Sequence, residues 1–165
     1  MAHVDVVQTT GEQLPALARL YQLYAHDLSE FTGDCPDEDG LLPAPDLERY
    51  LDSPERRAYL FGVGEPRAGF ALVNRWSPSG SGTDWQIAEF FVVRHYRRRG
   101  LGTDAARSVF ARLPGIWEIG VLETNAPAIR FWTHAVSWPR CHDLQRLVGN
   151  GLRWSGPIFR FEVPP

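Results

Sequence analysis

The stretch that decides the fold runs from Ala88 to Ala106 and reads Ala-Glu-Phe-Phe-Val-Val-Arg-His-Tyr-Arg-Arg-Arg-Gly-Leu-Gly-Thr-Asp-Ala-Ala. Its apolar beginning predicts the second half of a buried strand over Trp85–Val93. Two glycines follow the arginines, and the residues after them have the apolar spacing of a helix, which we predict over Thr103–Leu113. The stretch is therefore a strand, a glycine turn and a helix in succession.

The glycine turn has the properties of an anion site. Gly100 and Gly102 lack the Cβ atoms that would keep a ligand away from the backbone. A helix that begins near Leu101 presents unpaired N–H groups and the positive end of its dipole, and pyrophosphate is the commonest group bound there. Taken alone, R-x-x-G-x-G suits a plain surface turn equally well. Positive charge is added at the rim by three arginines, Arg97, Arg98 and Arg99.

Other phosphate motifs fit this turn less well. A Walker P-loop is absent, because the sequence has no GxxxxGK[ST]. A G-x-G-x-x-G dinucleotide fingerprint would place Ala105 at the position of its third glycine. That fingerprint belongs to the first βα turn of a Rossmann unit, whereas several predicted strands precede the glycine turn of this chain. The net charge of −3 argues against a dedicated nucleic-acid binder, and no aromatic stacking platform accompanies the arginines. An anionic partner held by Arg94 and Arg97–Arg99 stays an alternative.

Length and composition indicate one globular domain over residues 1–165, with 44% hydrophobic and 22% charged residues. The two cysteines, Cys35 and Cys141, form no CxxC, and the histidines show no ligand spacing, so we expect no disulfide scaffold and no metal site. The N-terminus has no signal-peptide pattern, and no stretch approaches the about 18 apolar residues of a membrane span. We therefore expect a cytoplasmic protein with no membrane partner.

The rest of the chain predicts further strands and helices around the central unit. Thr9 and Thr10 supply capping chemistry for an amphipathic helix with apolar residues from Leu14 to Leu28, and Gly64 to Arg67 form a turn between two strands. The order of strands and helices predicts an α/β (α+β) fold, one sheet with helices on both faces. The remaining predicted elements are strands at 4–7, 58–63, 69–73, 117–121 and 158–163 and helices at 46–51 and 126–135.

A second informative stretch, Glu123–Trp132, follows the predicted strand Trp117–Val121 and contains N-x-x-A-x-x-F at Asn125, Ala128 and Phe131. With R-x-x-G-x-G before it, matched by Arg97, Gly100 and Gly102, the sequence resembles the GNAT superfamily of acyl-CoA N-acyltransferases. The two motifs, with their strands and helices, cover residues 85–135. Their occurrence in this order and at this spacing is far more specific than either motif alone.

The resemblance implies a mixed, mostly antiparallel sheet in which Trp85–Val93 and Trp117–Val121 are a central parallel pair that splays at its C-terminal ends. The pantetheine arm of acetyl-CoA, the implied cosubstrate, would lie in that wedge, and the pyrophosphate would meet the amides of residues 98–103. The resemblance thus implies cofactor contacts from Phe91, Val92, Val93, Arg97, Arg98, Arg99, Gly100, Leu101, Gly102, Thr103, Asn125, Ala128, Phe131 and Trp132.

The expected reaction moves an acetyl group to a primary amine of a small molecule or peptide, which requires a neutral amine, a polarised carbonyl and a proton for the thiolate. Glu89, the only carboxylate in its apolar strand half, is the candidate general base. Alternatively it lies on a solvent face or pairs with an arginine. After Phe131 the family commonly has Tyr, but Trp132 donates a hydrogen bond and no useful proton. An acyl-CoA-binding module without activity is therefore an alternative.

The acceptor site of this family is usually bordered by the first helix and the loop after it. Tyr24, Asp27 and Glu30 recur at steps of three and could share a helix face, where they would suit a cationic amine through cation–π contact and charge pairing. A solvated acidic loop over residues 32–45 explains the acidic residues equally well. A homodimer is compatible with the sequence, and no motif in it specifies the acceptor or the acyl chain length.

Overall fold

Seven strands form one sheet in the computed structural model, which describes residues 4–64 and 67–165. The spatial order is β1-β2-β3-β4-β5-β7-β6, and only β4 and β5 run parallel. The predicted mixed, mostly antiparallel sheet with a central parallel pair is thereby confirmed. The strands are β1 (Asp5–Gln8), β2 (Arg57–Gly62), β3 (Gly69–Asn74), β4 (Trp85–Val92), β5 (Gly115–Gly120), β6 (His142–Val148) and β7 (Pro157–Val163).

Helices cover both faces of the sheet, as the sequence predicted. On one face, Leu17 and Tyr21 of the first helix pack with Leu60 and Phe70 of the sheet. On the other face, the third and fourth helices pack their apolar residues against β5 and β7. Within the described residues, no helix combines the length and apolar character that crossing a bilayer requires. The helices are α1 (Leu14–Thr32), α2 (Arg49–Asp52), α3 (Leu101–Arg112) and α4 (Ala126–Ala135).

A bulge in β4 turns Glu89 toward α1. Val73 of β3 lies opposite Ile87, but the preceding Leu72 lies opposite Glu89, so that Ala88 is the extra residue. Before the bulge, Ile87 faces the cluster beneath α3 and α4. Beyond it, Glu89 shares a face with Leu72, which packs beneath α1. Simple alternation along the sequence does not reveal this reversal.

The parallel pairing of β4 and β5 is very short. It consists of Trp85 opposite Trp117 and Gln86 opposite Glu118, after which the two strands separate. A wedge therefore opens toward the C-terminal ends of both strands, and α3 and α4 begin beyond those ends. This confirms the splay that the resemblance implied.

Other details differ from the sequence prediction. The sequence prediction did not identify β6, because this edge strand is polar and mostly exposed and lacks an alternating apolar pattern. It pairs with β7 through the hairpin that contains residues 149–151. The third helix begins at Leu101 rather than Thr103, and the second at Arg49 rather than at residue 46. Glu65 and Pro66 of the predicted turn lie outside the described residues.

Candidate active site

The glycine turn joins β4 to α3 through backbone that favours glycine. Gly100 has φ +83° and precedes the first residue of α3, and Arg98 also adopts a left-handed conformation. At Gly102 a Cβ would lie 3.1 Å from the Val92 side chain and 3.2 Å from the ring of Phe131. Gly102 therefore allows α3 to approach β4 and α4 closely, in addition to the access for a ligand that the sequence predicted.

A cleft of about 570 Å³ lies where α1, the end of β4, the glycine turn and the start of α4 meet. The two sequence motifs, although separated by the whole of α3 and β5, thus border one cavity. Its lining residues are Tyr24, Asp27, Leu28, Glu30, Phe31, Phe90, Phe91, Val92, Arg94, Arg97, Arg98, Gly100, Gly102, Thr103, Asn125, Pro127, Ala128, Phe131 and Trp132.

Most of the expected cofactor residues line this cleft, and three do not. Leu101 is buried in the core because the first residue of α3 faces the sheet. Val93 packs on the α1 side with the cluster around Phe70. Arg99 is exposed and lies outside the lining. All three predicted acceptor residues, which share one face of α1, line the cleft: Tyr24, Asp27 and Glu30.

Asn125 is the N-cap of α4. Its Oδ1 accepts a hydrogen bond of 3.1 Å from the backbone N–H of Ala128, and Pro127 occupies the first turn, where proline is tolerated. The N-x-x-A spacing therefore builds the start of a helix at the cleft wall. Because the cap uses the carbonyl oxygen of the amide, its NH₂ group remains as a donor toward a ligand.

Tyr24 and Glu89 form the central polar pair of the site. The Tyr24 hydroxyl donates a hydrogen bond to Oε2 of Glu89, and its ring packs edge-on against Phe70 and Phe91, with centroid distances of 5.7 and 6.1 Å. Burial raises the pKa of Glu89 to about 7, although the Tyr24 hydrogen bond acts in the opposite direction. Among the described residues no arginine pairs with Glu89.

Asp27 ties α1 to the turn after β4. Its two carboxylate oxygens accept from Arg94 at 2.7 Å and from Arg97 at 2.5 Å, and Arg97 also donates to the carbonyl of Val92 at 2.7 Å. Burial acts to raise the pKa of Asp27, but the hydrogen bonds from the two arginines outweigh it and lower that pKa. The negative charge of Asp27 is thus already balanced, a pairing across 67 and 70 residues that no sequence signal indicated.

Trp132 forms part of the back wall of the cleft. Its side chain is buried, and its ring contacts Phe90 edge-on at a centroid distance of 5.1 Å. Phe131 stacks on the same Phe90 at 5.5 Å. The position after Phe131 therefore supplies an aromatic core contact and no group that ionises near neutral pH.

A second cavity, of about 580 Å³, lies beside the β6–β7 hairpin and is bordered by Glu123, Ile129 and Arg146. It contains neither the glycine turn nor Tyr24, so we assign the candidate active site to the first cleft. Among the described residues, no group of His, Cys, Asp and Glu side chains is arranged to hold a metal ion.

Residues 17–136 match the model of the acetyltransferase (GNAT) family, and the chain belongs to this family. Its fold is similar to that of an acetyltransferase from Thermus thermophilus, with 20% identity, a TM-score of 0.64, and coverage of 98% of this chain and 97% of that one. No curated protein matches the chain.

Two further solved structures share the fold and differ in the acceptors that their descriptions name. One is a ribosomal-protein alanine N-acetyltransferase from Escherichia coli, with 11% identity, TM-score 0.60, and coverage of 98% and 94%. The other is an aminoglycoside acetyltransferase from an uncultured soil metagenomic sample, with 12% identity, TM-score 0.58, and coverage of 80% and 86%. At these identities the likeness concerns the fold alone.

Proposed function

We propose that this protein is an acetyl-CoA-dependent N-acetyltransferase that acetylates a primary amine of a small molecule or peptide, with Glu89 as general base. The observation that supports this most is that the glycine turn, the Asn125–Trp132 segment and Tyr24, which is hydrogen-bonded to Glu89, border one cleft. Acetyl transfer agrees with membership in the acetyltransferase family. The cosubstrate, the acceptor class and the role of Glu89 are our inference.

The cleft fits an extended thioester cosubstrate with a phosphate end. Beyond Gln86, β4 has no pairing with β5, so backbone groups of Phe91 and the N–H of Val92 are candidates to bond an amide-containing arm. The N–H of Val93 already donates to the carbonyl of Ala68 at 2.8 Å, so Val93 is not among these candidates. The first turn of α3 offers N–H groups and a helix dipole to pyrophosphate, with Arg98 at the cleft wall. When bound, acetyl-CoA supplies an activated acyl group, and these residues would hold and orient it.

Glu89 has suitable properties for removing a proton from an amine. A carboxylate whose pKa is raised to about 7 by burial is substantially ionised at neutral pH, yet is a stronger base than an exposed glutamate. The amine nitrogen would then form the C–N bond, and the C–S bond would break. An N–H group near Val92 is our candidate for polarising the thioester carbonyl.

The acceptor would approach from the α1 side of the cleft. Tyr24 and Phe31 supply aromatic surface there, and Glu30 supplies an exposed carboxylate, whereas Asp27 is occupied by Arg94 and Arg97. This composition suits an amine with an apolar part next to the nitrogen. The described acceptors of the two structural neighbours, an alanine and an aminoglycoside, both belong to the proposed class of amines.

Two alternatives have specific observations for or against them. A module that binds acyl-CoA without catalysis is favoured by Trp132, which leaves the family's usual proton donor unreplaced on α4. Binding of a nucleic acid or another anionic partner through Arg94 and Arg97–Arg99 is disfavoured. Asp27 pairs with two of these arginines and offsets one of their two charges, and the net charge of the chain is −3.

Calorimetric titration with acetyl-CoA, followed by thiol release with a panel of amines, tests the proposal. We expect binding, and thiol release with at least one primary amine. Gly102→Val should weaken binding about tenfold or more, because its methyl groups would press on Val92 and Phe131. Arg146→Ala, beside the other cavity, should bind normally.

The outcomes separate the three hypotheses. Binding without thiol release across the panel would identify the silent module. The absence of binding to acetyl-CoA, together with binding to single-stranded DNA, would favour the anionic-partner hypothesis and contradict the proposal.

A further inference from the structure

Tyr24 stands between the carboxylate of Glu89 and the cleft. The tyrosine is among the residues that line the cavity, whereas Glu89 is not. The only side-chain hydrogen bond that reaches Glu89 from the described residues comes from the Tyr24 hydroxyl. The Tyr24 hydroxyl therefore offers a hydrogen-bonded route for a proton between the cleft and Glu89.

The other described side chains that line the cleft are poorly suited to protonate a departing thiolate. Arginine side chains keep their protons, and Asp27 is held ionised by two of them. Glu30 is exposed at the outer side, and Thr103 lies in the first turn of α3, at the proposed phosphate end. Among the described residues that line the cleft, the phenol of Tyr24 is the group best suited to donate a proton.

We propose that Tyr24 is the proton relay of this site, passing the amine's proton to Glu89 and returning it to the sulfur of CoA. The inference rests on the proposed function. As the C–N bond forms, an amine proton moves to the Tyr24 oxygen while the phenolic proton moves to Glu89. As the C–S bond breaks, Tyr24 protonates the sulfur and is reprotonated by Glu89. Amine and thioester become amide and thiol, with no proton left over.

The direction of transfer agrees with the electrostatics of the pair. Burial, together with the charge of Glu89, holds the pKa of Tyr24 well above its usual value, so the phenol alone is a weak acid. Protonated Glu89, with a pKa of about 7, is a stronger acid than a thiol such as cysteine at about 8.5. Concerted transfer through Tyr24 is therefore favourable without a free phenolate.

Other ionisable groups around Glu89 are also tyrosines. Tyr21 of α1 and Tyr50 of α2 both have raised pKa values, caused first by burial and then in part by the charge of Glu89. Tyr50 is in addition hydrogen-bonded to Asn74 at 3.4 Å. Tyr21 packs edge-on against Tyr24, with a centroid distance of 5.5 Å, and makes no hydrogen bond to Glu89 among the described residues.

Tyr24→Phe tests the relay, and Tyr21→Phe is its matched control, since each removes one hydroxyl from the same cluster. We expect Tyr24→Phe to lower kcat about 100-fold while the Kd for acetyl-CoA stays within about twofold. Tyr21→Phe should keep kcat within about threefold. Tyr24 and Glu89 act as one unit, so their losses should not multiply. The kcat of the double variant, Tyr24→Phe with Glu89→Gln, should lie within about threefold of the lower of the two single-variant kcat values.

Several results would overturn the relay. These are a Tyr24→Phe variant as active as Tyr21→Phe, or a double variant whose loss is the product of the two single losses. If Tyr24→Phe fails to fold, a proton inventory in mixed H₂O and D₂O on the wild-type protein decides. A curved plot, reporting more than one proton in flight, supports the relay, and a linear plot contradicts it. Wild-type protein that releases no thiol with any amine would instead refute the proposed function, before any variant is made.

Discussion

Two glutamates on neighbouring strands, Glu118 of β5 and Glu89 of β4, have very different hydrogen-bond partners. Glu118 is fully buried and accepts from the Ser77 hydroxyl at 2.9 Å, from the Ser79 hydroxyl at 2.6 Å and from the Ser79 N–H at 3.2 Å. Arg160 donates to it as well. Among the described residues, Glu89 has one hydrogen-bond partner, the Tyr24 hydroxyl, and its other surroundings are largely apolar.

The contrast agrees with the different roles that we propose for the two residues, structural for Glu118 and chemical for Glu89. The donors and the cation around Glu118 satisfy its carboxylate oxygens, and these bonds fix the loop that contains Ser77 and Ser79. Burial beside a single neutral donor raises the pKa of Glu89 to about 7, close to neutral pH. Glu118 is fully buried and Glu89 is partly buried, and the two differ further in the number and charge of their partners.

The largest effect on stability is expected when the hydrogen-bonded ion pair of Glu118 and Arg160 is broken. Glu118→Gln would leave Arg160, whose side chain is only 19% exposed, without its counter-charge. We expect the free energy of unfolding to fall by about 3 kcal/mol or more, as measured by urea denaturation.

The matched control removes both charges. Glu118→Leu with Arg160→Met should be more stable than Glu118→Gln, because no unpaired buried charge remains. A Glu118→Gln variant as stable as the wild-type protein would show that the two glutamates do not differ as described.

Replacing Glu89 by a neutral residue should raise the stability of the protein rather than lower it. The folded-state pKa of Glu89 is raised from 4.5 to about 7, so the folded state holds this proton more tightly, and stability falls as pH rises through that window. The Glu89→Gln variant has no carboxyl group at this position, so its stability does not fall in this way as the pH rises. At pH 8 it should therefore unfold with a free energy higher by on the order of 2 kcal/mol.

The pH dependence provides the control for that variant. At pH 4 the wild-type carboxyl is protonated in the folded state, and the two proteins should have nearly equal stability. A difference between them that stays constant from pH 4 to pH 8 would point to packing rather than to ionisation.

The smallest effect on stability is expected when one hydrogen-bond donor to Glu118 is removed. Ser79→Ala deletes the hydroxyl that bonds Glu118 at 2.6 Å but leaves Ser77, the Ser79 N–H and Arg160 in place. A loss of about 1 kcal/mol in thermal or urea unfolding is expected, with acetyl transfer unchanged. A change in transfer rate comparable to that of Tyr24→Phe would contradict the division between structural and chemical glutamates.

The sequence predicted those parts of the molecule whose signals are local. The strand, glycine turn and helix of residues 85–112 depend on backbone conformation and on the spacing of a few residues, so Gly100 and Gly102 could be interpreted directly. The same holds for α4, whose start is capped by Asn125. The residues that these signals selected lie largely at one cleft.

Contacts between distant segments could not be predicted in this way. Tyr24 and Glu89 are 65 residues apart, and their meeting depends on the bulge at Ala88, which no alternation pattern reveals. The pairing of Asp27 with two arginines likewise depends on how α1 docks on the end of β4. The exposed strand β6 was missed for a different reason, because an edge strand exposed to solvent needs no apolar pattern.

The pH dependence of kcat/KM for acetyl transfer, measured in wild-type protein and in Glu89→Gln, tests the central claim most directly. For the wild type, log kcat/KM, calculated on the concentration of neutral amine, should rise with unit slope and level off above a midpoint near pH 7, the pKa of Glu89 in the free protein. In Glu89→Gln that midpoint should vanish and kcat should be about 100-fold lower at pH 8, with acetyl-CoA still bound normally. A Glu89→Gln variant that keeps both the midpoint and the rate of the wild type would contradict the assignment of Glu89 as the base.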